Sequence, residues 1–317
     1  MEAKPKLNDL ICNWDIGEII SAAGIYYTGQ VFLIKTAGGR KYVLKQKKDF
    51  NKIMPECMLL KALEGMKLPV PAPVAARNGE YCVQAGEKYF CLYPYISGGV
   101  TQHYYTPGAE ERAGVYGRTI ALLHSGMKKY GLFSGFEYMD MVQEVYFNSL
   151  PVILRSSASS EAVQAARAAE EFKESVMRVY KDLPVQLIHK DMHPVNLLLD
   201  SGNRLLGIID FDSAAIGPRV FDPCYCSAYM LINGYEDHDK RRRWFTLLKC
   251  LVQGYESVQS LAPAEREAFW CGMEAALFIL DGVFFKVNNT KLAEKTRQVI
   301  TWVRDNKTKI TDIVGSQ

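Results

Sequence analysis

One short segment of the chain gathers residue types that serve phosphoryl transfer. Residues 189–196 read HKDMHPVN, so His189, Asp191 and Asn196 follow the pattern H-x-D-x-x-x-x-N. In such a loop the aspartate orients or deprotonates the attacking hydroxyl, and the asparagine holds a magnesium ion. A second aspartate, Asp210, ends an apolar run fourteen residues later. An aspartate in that position bridges magnesium to the phosphates.

A zinc site is the rival chemical interpretation of this segment. His189, Asp191 and His193 alternate along the chain, and alternate residues of a strand share one face. However, Pro194 and Asn196 indicate a loop, and no further histidine cluster offers a third imidazole. A surface turn with satisfied polar groups is the remaining structural alternative.

These two stretches carry a resemblance to a known family. The sequence resembles the aminoglycoside phosphotransferase / choline kinase-like family of small-molecule kinases, on H-x-D-x-H-P-x-N at 189–196 and I-D-F-D at 209–212. The order of elements agrees over nearly the whole chain. The resemblance implies that Asp191 is the catalytic base and that Asn196 and Asp210 bind Mg²⁺.

Three neighbouring residues are expected to support this site. The resemblance assigns His189 and His193 to bracing the loop rather than to the reaction. Asp212 stands where protein kinases have glycine, and it either supports the metal site from behind or is structural.

The amino-terminal part contains a matching lysine. Residues 42–45 read YVLK, a strand ending in Lys45, as expected for a lysine that contacts phosphates. Glu56 opens the next helix and is the expected ion-pair partner of Lys45, with Glu64 as the alternative. Residues 21–29 contain no G-x-G-x-x-G, although backbone amides of a Ser/Gly turn can cradle phosphates.

A hinge is expected at about 93–99, where the chain reads YPYISGG. The resemblance implies that adenine contacts the carbonyl of Pro94 and the amide of Ile96. Proline lacks an N–H, but only its carbonyl is needed there. The co-substrate is therefore ATP, with GTP also possible.

The elements that must position these residues fall into two groups. Short strands are predicted at 16–23, 30–36, 41–46, 74–77 and 89–95, with a helix at 55–65. Helices are predicted at 110–124, 158–180, 240–260, 263–287 and 290–306. The expected fold is therefore α+β, a bilobal protein-kinase-like fold. A small antiparallel sheet lobe with one helix would span 1–96, and a larger, mainly helical lobe 97–317.

The short stretch after the second aspartate favours a small substrate. Phe221 comes eleven residues after Asp210, which leaves little room for the activation segment of a protein kinase. Asp222 followed by Pro223 predicts a helix start with Asp222 as a structural N-cap.

An apolar segment at 269–285 contains the candidate acceptor contacts. Glu274 and Asp281 lie seven residues apart on one helix face, and Trp270 lies one turn earlier. A buried carboxylate needs a partner, which would be a cationic substrate group or an internal Arg or Lys. The internal salt bridge is the preferred alternative.

Composition limits the kinds of partner and the cellular location that the sequence allows. The 317 residues are 48% hydrophobic and 23% charged, with a net charge of +3, so no nucleic-acid or membrane partner is indicated. The amino terminus lacks the apolar run of a signal peptide, and eight scattered cysteines indicate reduced thiols in a cytoplasmic protein.

The sequence thus predicts an ATP- and Mg²⁺-dependent kinase that phosphorylates a hydroxyl of a small molecule, such as an aminoglycoside, an amino alcohol or a sugar-like compound. The alternative is a nucleotide-binding, non-catalytic member of the same fold that acts as a scaffold or regulator. The residues point to no protein partner.

Overall fold

The chain divides into two compact units in a computed structural model that describes residues 7–25, 30–99, 104–131, 133–156 and 159–316. The first unit contains the residues up to 98 together with 134–136 and 206–212. The second contains 99–133, 137–205 and 213–317. The first is built on a sheet and the second is mainly helical, so the predicted α+β fold class is confirmed.

A five-stranded antiparallel sheet forms the first unit. Its elements in chain order are α1 (Leu7–Ile11), β1 (Ile19–Gly24), β2 (Val31–Thr36), β3 (Lys41–Lys47), α2 (Phe50–Gly65), β4 (Val83–Ala85) and β5 (Lys88–Pro94). The strands lie in the order β1-β2-β3-β5-β4. Lys45 of β3 is opposite Cys91 of β5 in this register. The central position of β3 brings its side chains into the interior of the unit.

Alternation along the strands separates an apolar face from a polar one. One face packs into a cluster with α1, and the indole nitrogen of Trp14 donates to the carbonyl of Val74 at 3.1 Å. This face contributes Ile34, Tyr42, Leu44, Phe90 and Leu92. The opposite face of β3 therefore presents Val43, Lys45 and Lys47.

Two predictions for this unit need correction. The predicted strand at 74–77 is absent as a strand, because Val74 forms only one isolated bridge, to Leu92. The outer strand is instead β4. Helix α2 begins at Phe50, five residues before the predicted start, since Asp49 caps it by accepting from the amide of Asn51 at 3.0 Å.

The second unit consists mostly of helices. They are α3 (Ala109–Tyr130), α4 (Met141–Gln143), a π-helix (Glu144–Ser149), α5 (Leu150–Ser156), α6 (Ser159–Val179), α7 (Phe221–Gly234), α8 (His238–Glu256), α9 (Pro263–Lys286), α10 (Thr290–Asp305) and α11 (Lys307–Gly315). Short strands β6 (Val185–Ile188), β7 (Leu197–Leu199), β8 (Leu205–Ile208) and β9 (Ala215–Pro218) come between α6 and α7 in the chain, and residues 206–208 of β8 belong to the first unit. Strands β6 and β9 pair antiparallel.

Helix α9 is the central helix of the second unit. It packs against α5, α6, α7, α10, α11 and the π-helix. By length and hydropathy it could cross a membrane, but 72% of its apolar window is buried inside the protein. An all-round apolar helix of this kind is typical of the interior of a large domain.

Several helices of the second unit lie where the sequence predicted them, and the sequence did not predict some of the shorter ones. Helices α6, α8, α9 and α10 lie within a few residues of the predicted ranges. Helix α7 was expected to begin with Asp222 as its N-cap, which is wrong. The helix begins at Phe221 and the cap position is Val220, so Asp222 lies inside the first turn.

Helices α3 and α8 cross at very close range. A side chain at Gly117 would overlap the backbone carbonyl of Leu251, and one at Gly254 would overlap the carbonyl of Gly114. The atoms in contact at this crossing are backbone atoms, which cannot rotate away as side chains do, so a shift of either helix would disturb its other packing contacts. The absence of a Cβ at these two glycines allows the approach.

We expect Gly117→Ala to lower the free energy of unfolding by about 1–3 kcal/mol, because the added methyl overpacks the crossing. Gly114→Ala is the matched control, since its Cβ would lie 3.7 Å from the carbonyl of Cys250, an ordinary contact. Denaturant unfolding of both variants checks this. A Gly117→Ala protein as stable as the control would contradict the close crossing.

Candidate active site

The loop that contains Asp191 follows β6 directly. Its backbone turns at Lys190, whose φ of 67° is left-handed, and it ends in a single 3₁₀ turn at Pro194–Asn196. Left-handed backbone is uncommon for a residue other than glycine. The segment is therefore a loop, as Pro194 predicted, and not a continuing strand.

A buried carboxylate holds the start of this loop. Asp222 of α7 is fully buried and accepts from the backbone amides of His189 and Lys190, both at 2.9 Å. Its Oδ2 also lies 2.9 Å from Nε2 of His124. Asp222 therefore anchors the loop from below, a role that the sequence analysis missed when it assigned the residue to a helix cap.

His124 extends this network into α3 and α8. Its Nδ1 lies 3.0 Å from the hydroxyl of Tyr255, and the imidazole is fully buried. The sequence analysis passed over this histidine. Its one available signal was a polar residue on the otherwise apolar face of the helix predicted at 110–124.

Asn196 and Asp191 contact each other within the loop. Nδ2 of Asn196 donates to the backbone carbonyl of Asp191 at 2.8 Å and lies 3.3 Å from its Oδ2. The amide nitrogen is thus used on Asp191, which leaves Oδ1 as the atom that Asn196 can offer to a cation.

Aromatic side chains and a histidine surround the Asp191 carboxylate. Nε2 of His193 lies 3.6 Å from Oδ2 of Asp191, and its ring stacks on Tyr229 with centroids 4.9 Å apart. Burial and a hydrogen bond to Asp191 raise the pKa of Tyr225 well above its usual value, so Tyr225 stays protonated. His189 is fully buried.

Among the described residues no three His, Cys, Asp or Glu side chains form a metal-ligand group, which removes support for the zinc alternative.

In the first unit, Lys45 bridges two aspartates that follow β8. Its Nζ lies 2.6 Å from Oδ1 of Asp210 and 2.7 Å from Oδ2 of Asp212. Burial by itself would lower the pKa of Lys45, but the two carboxylates outweigh it and raise the pKa. Asp210 has a left-handed φ of 68°, which turns its side chain toward the lysine at the end of the apolar run.

The expected pairing of Lys45 with Glu56 is wrong. Glu56 binds Lys47 instead, with both carboxylate oxygens 2.6 Å from Nζ, and the hydroxyl of Tyr93 donates to Glu56 at 3.1 Å. Lys45 and Lys47 share a face of β3, and the more buried of them, Lys47, contacts α2. The alternative partner, Glu64, pairs with Lys61 on the surface.

Lys47 also binds Asp212, at 2.5 Å. Burial would lower the pKa of Lys47, but Glu56 and Asp212 raise it above the usual value. Burial would likewise raise the pKa of Asp212, yet the two lysines lower it to about 2. Asp212 is therefore ionised at neutral pH, and Lys47 is charged.

The last residue of β5, Pro94, has its carbonyl directed away from β3. The amide of Tyr95 donates to the carbonyl of Lys41 at 3.0 Å, and the structure has no cis peptide bonds in its described part. In a trans peptide the C=O of Pro94 points opposite to the N–H of Tyr95. The carbonyl of Pro94 is therefore directed away from β3.

Each unit carries an oxygen donor of the kind that a hard divalent cation binds. In the second unit the nitrogen of the Asn196 amide is used on Asp191 and its oxygen is left, and in the first unit the side chain of Asp210 is 45% exposed. Amide and carboxylate oxygens are ligands that Mg²⁺ accepts while it keeps waters and phosphate oxygens in the remaining positions. Residues 26–29 of the expected nucleotide loop lie outside the described residues.

The candidate acceptor contacts on α9 have internal cations. Asp281 is buried and pairs with Arg297 at 3.0 Å, which agrees with the internal salt-bridge alternative. Glu274 is buried 3.3 Å from Nε of Arg304, but neither of its oxygens has a hydrogen bond within the described part of the chain, and burial raises its pKa well above the usual value. Nζ of Lys307 lies 5.7 Å from the ring centroid of Trp270.

Comparisons with known proteins define the family. The sequence model of the phosphotransferase enzyme family (APH) matches residues 21–259. A homoserine kinase of Zymomonas mobilis subsp. mobilis is 27% identical over 270 residues, which cover 80% of this chain and 77% of that protein. A homoserine kinase of Gluconobacter oxydans is 24% identical over 311 residues, covering 93% and 92%.

Solved structures agree in fold. A microcompartment-associated aminopropanol kinase superposes with a TM-score of 0.71 at 18% identity, covering 96% of this chain and 97% of that one. Amicoumacin kinase, solved with AMP-PNP, Ca²⁺ and its antibiotic, gives a TM-score of 0.68 at 14% identity, covering 91% and 89%. The chain belongs to the phosphotransferase enzyme family and is a small-molecule kinase with an alcohol group as acceptor.

Proposed function

We propose that this protein uses ATP and Mg²⁺ to phosphorylate the hydroxyl of a small amino alcohol, with homoserine as the first candidate. The observation that carries the proposal is the arrangement at Asp191. Its carboxylate lies beside Asn196 on a loop that Asp222 anchors, as a base for an incoming hydroxyl requires.

In this mechanism Asp191 receives the acceptor hydroxyl. The acceptor oxygen attacks the γ-phosphorus as the bond to the ADP oxygen breaks, and the hydroxyl proton passes to Asp191. Lys45 neutralises charge on the phosphates. Asn196 and Asp210 would hold Mg²⁺, which offsets the charge that develops on the phosphate oxygens.

The first unit supplies the nucleotide contacts. The outward carbonyl of Pro94 and the amide of Ile96 would bind the base, and Lys47 and Glu56 would hold Asp212 in place behind Lys45. GTP presents a different hydrogen-bonding edge from ATP, so the choice of base depends on these two backbone groups.

The acceptor assignment rests on the relatives. Four homoserine kinases match over 80–93% of this chain, and an aminopropanol kinase shares the fold. Both names denote an acceptor with a hydroxyl and an amine. No acceptor contact is assigned to Trp270, Glu274 or Asp281, because each faces an internal cation. The cytoplasm, where ATP and such metabolites occur, is the proposed location.

The direct experiment measures ADP release and phosphorylated product with Mg·ATP and Mg·GTP. Homoserine, 1-amino-2-propanol, choline and kanamycin serve as acceptors. We expect transfer to homoserine or aminopropanol at the highest kcat/KM. Preferential phosphorylation of kanamycin would overturn the acceptor assignment, and transfer in the presence of EDTA would overturn the metal dependence.

Asp191→Asn should lower kcat about 10²–10⁴-fold, because the amide cannot accept the proton. Binding of Mg·ATP, measured by calorimetry, should stay within about twofold, since the substituted atom does not contact the nucleotide in this mechanism. Full turnover by Asp191→Asn would remove Asp191 from the reaction.

Substitutions of the two lysines of β3 should have different effects, one on activity and the other on stability. We expect Lys45→Met to lower kcat/KM for ATP about 10²-fold with little change in unfolding. Lys47→Met should instead lower the free energy of unfolding by about 3 kcal/mol, because it leaves Glu56 buried without a cation.

Lys88→Met, at an exposed position of β5, is the control for both variants. Steady-state kinetics and urea denaturation distinguish the two effects. Equal loss of stability in the Lys45 and Lys47 variants would contradict the separate roles.

A further inference from the structure

The residue immediately before Asp191 has an unfavourable backbone. Lys190 is left-handed, with a φ of 67°. For a residue with a side chain this conformation costs roughly 1–2 kcal/mol, so surrounding contacts must hold it. Whatever holds Lys190 also orients Asp191, because the two residues share a peptide unit.

Two carboxylates hold Lys190, one at each end of the residue. Its backbone amide donates to Asp222 at 2.9 Å, and its Nζ donates to Oε1 of Glu144 at 2.5 Å. The side chains of Lys190 and Glu144 are only 24% and 20% exposed, so water screens the pair incompletely. Burial would raise the pKa of Glu144, but the hydrogen bonds to Lys190 and Asn148 outweigh it and lower the pKa, so Glu144 is ionised at neutral pH.

Glu144 comes from an irregular helical element. It is the first residue of the π-helix Glu144–Ser149, which packs against α9. A single π-turn is rare and is found frequently at functional sites. Its other carboxylate oxygen accepts from Asn148 of the same element at 2.8 Å. The core helix α9 thus supports the carboxylate that reaches the loop.

We propose that the Glu144–Lys190 ion pair is a positioning contact for the phosphoryl transfer, which holds the left-handed turn so that the Asp191 carboxylate faces the acceptor hydroxyl. The inference rests on the proposed function, in which Asp191 is the base. Neither Glu144 nor Lys190 contacts the reacting atoms in this account. Both act through Asp191.

A double-mutant cycle in the full-length protein tests the contact. We expect Glu144→Gln and Lys190→Met each to lower kcat about tenfold, with the KM values for ATP and acceptor within about twofold of wild type. The double variant should be no slower than either single one, because both remove the same interaction. Lys190→Arg, which keeps the charge, should recover most of the activity.

Asn148→Ala is the matched control, since it contacts Glu144 without contacting Lys190, and its kcat should stay near that of wild type. Additive losses in the double variant would overturn the proposal. A raised KM for the acceptor at unchanged kcat would also overturn it, since that result would place the pair in direct contact with the acceptor.

Hydrogen exchange separates this inference from the proposed function, because it needs no substrate. The amides of residues 189–191 should exchange at least tenfold faster in Glu144→Gln than in wild type or Asn148→Ala. Unchanged exchange would overturn the positioning role even if the enzyme is active. Faster exchange, combined with a fully active Asp191→Asn variant, would support the brace and reject the proposed base.

Discussion

Burying a carboxylate is costly unless hydrogen bonds satisfy it, and the loop that contains Asp191 is built around that constraint. Asp222 is fully buried at the start of α7, and the amides of His189 and Lys190 together with His124 satisfy it. These partners come from α3 and from the loop that follows β6. One buried carboxylate of α7 therefore ties α3 to the backbone just before Asp191.

In the first unit, two neighbouring lysines likewise require partners of opposite charge. Strand alternation puts Lys45 and Lys47 on the same face of β3, so two positive charges lie close together and require negative partners. Asp212 contacts both lysines, while Glu56 takes only the deeper one. Lys45 is left on the partly exposed side with Asp210. Burial thus distinguishes the two lysines, and only the more exposed one is proposed to contact a phosphate.

Membership of the family establishes the reaction class, but the acceptor depends on the helical unit. In this chain Asp281 of α9 pairs with Arg297, and Glu274 of the same helix is buried 3.3 Å from Nε of Arg304. The aromatic residues that surround Asp191, among them Tyr225 and Tyr229, come instead from α7, a helix whose start the sequence predicted without these contacts. The surroundings of Asp191, the proposed base, are therefore set by α7 and the loop.

The sequence by itself determined the reaction class, the fold class and the identity of most charged groups. These follow from local patterns: the spacing of His189, Asp191 and Asn196, the apolar run before Asp210, and the change from strand to helix periodicity. Only the tertiary structure decided which charge meets which. Strand alternation places Lys45 and Lys47 on the same face of β3, so either lysine could face Glu56. Glu56 pairs with Lys47 because Lys47 is the more deeply buried of the two. Asp222 resembles a helix cap in sequence, yet it binds residues more than thirty positions away, and no local pattern records that contact.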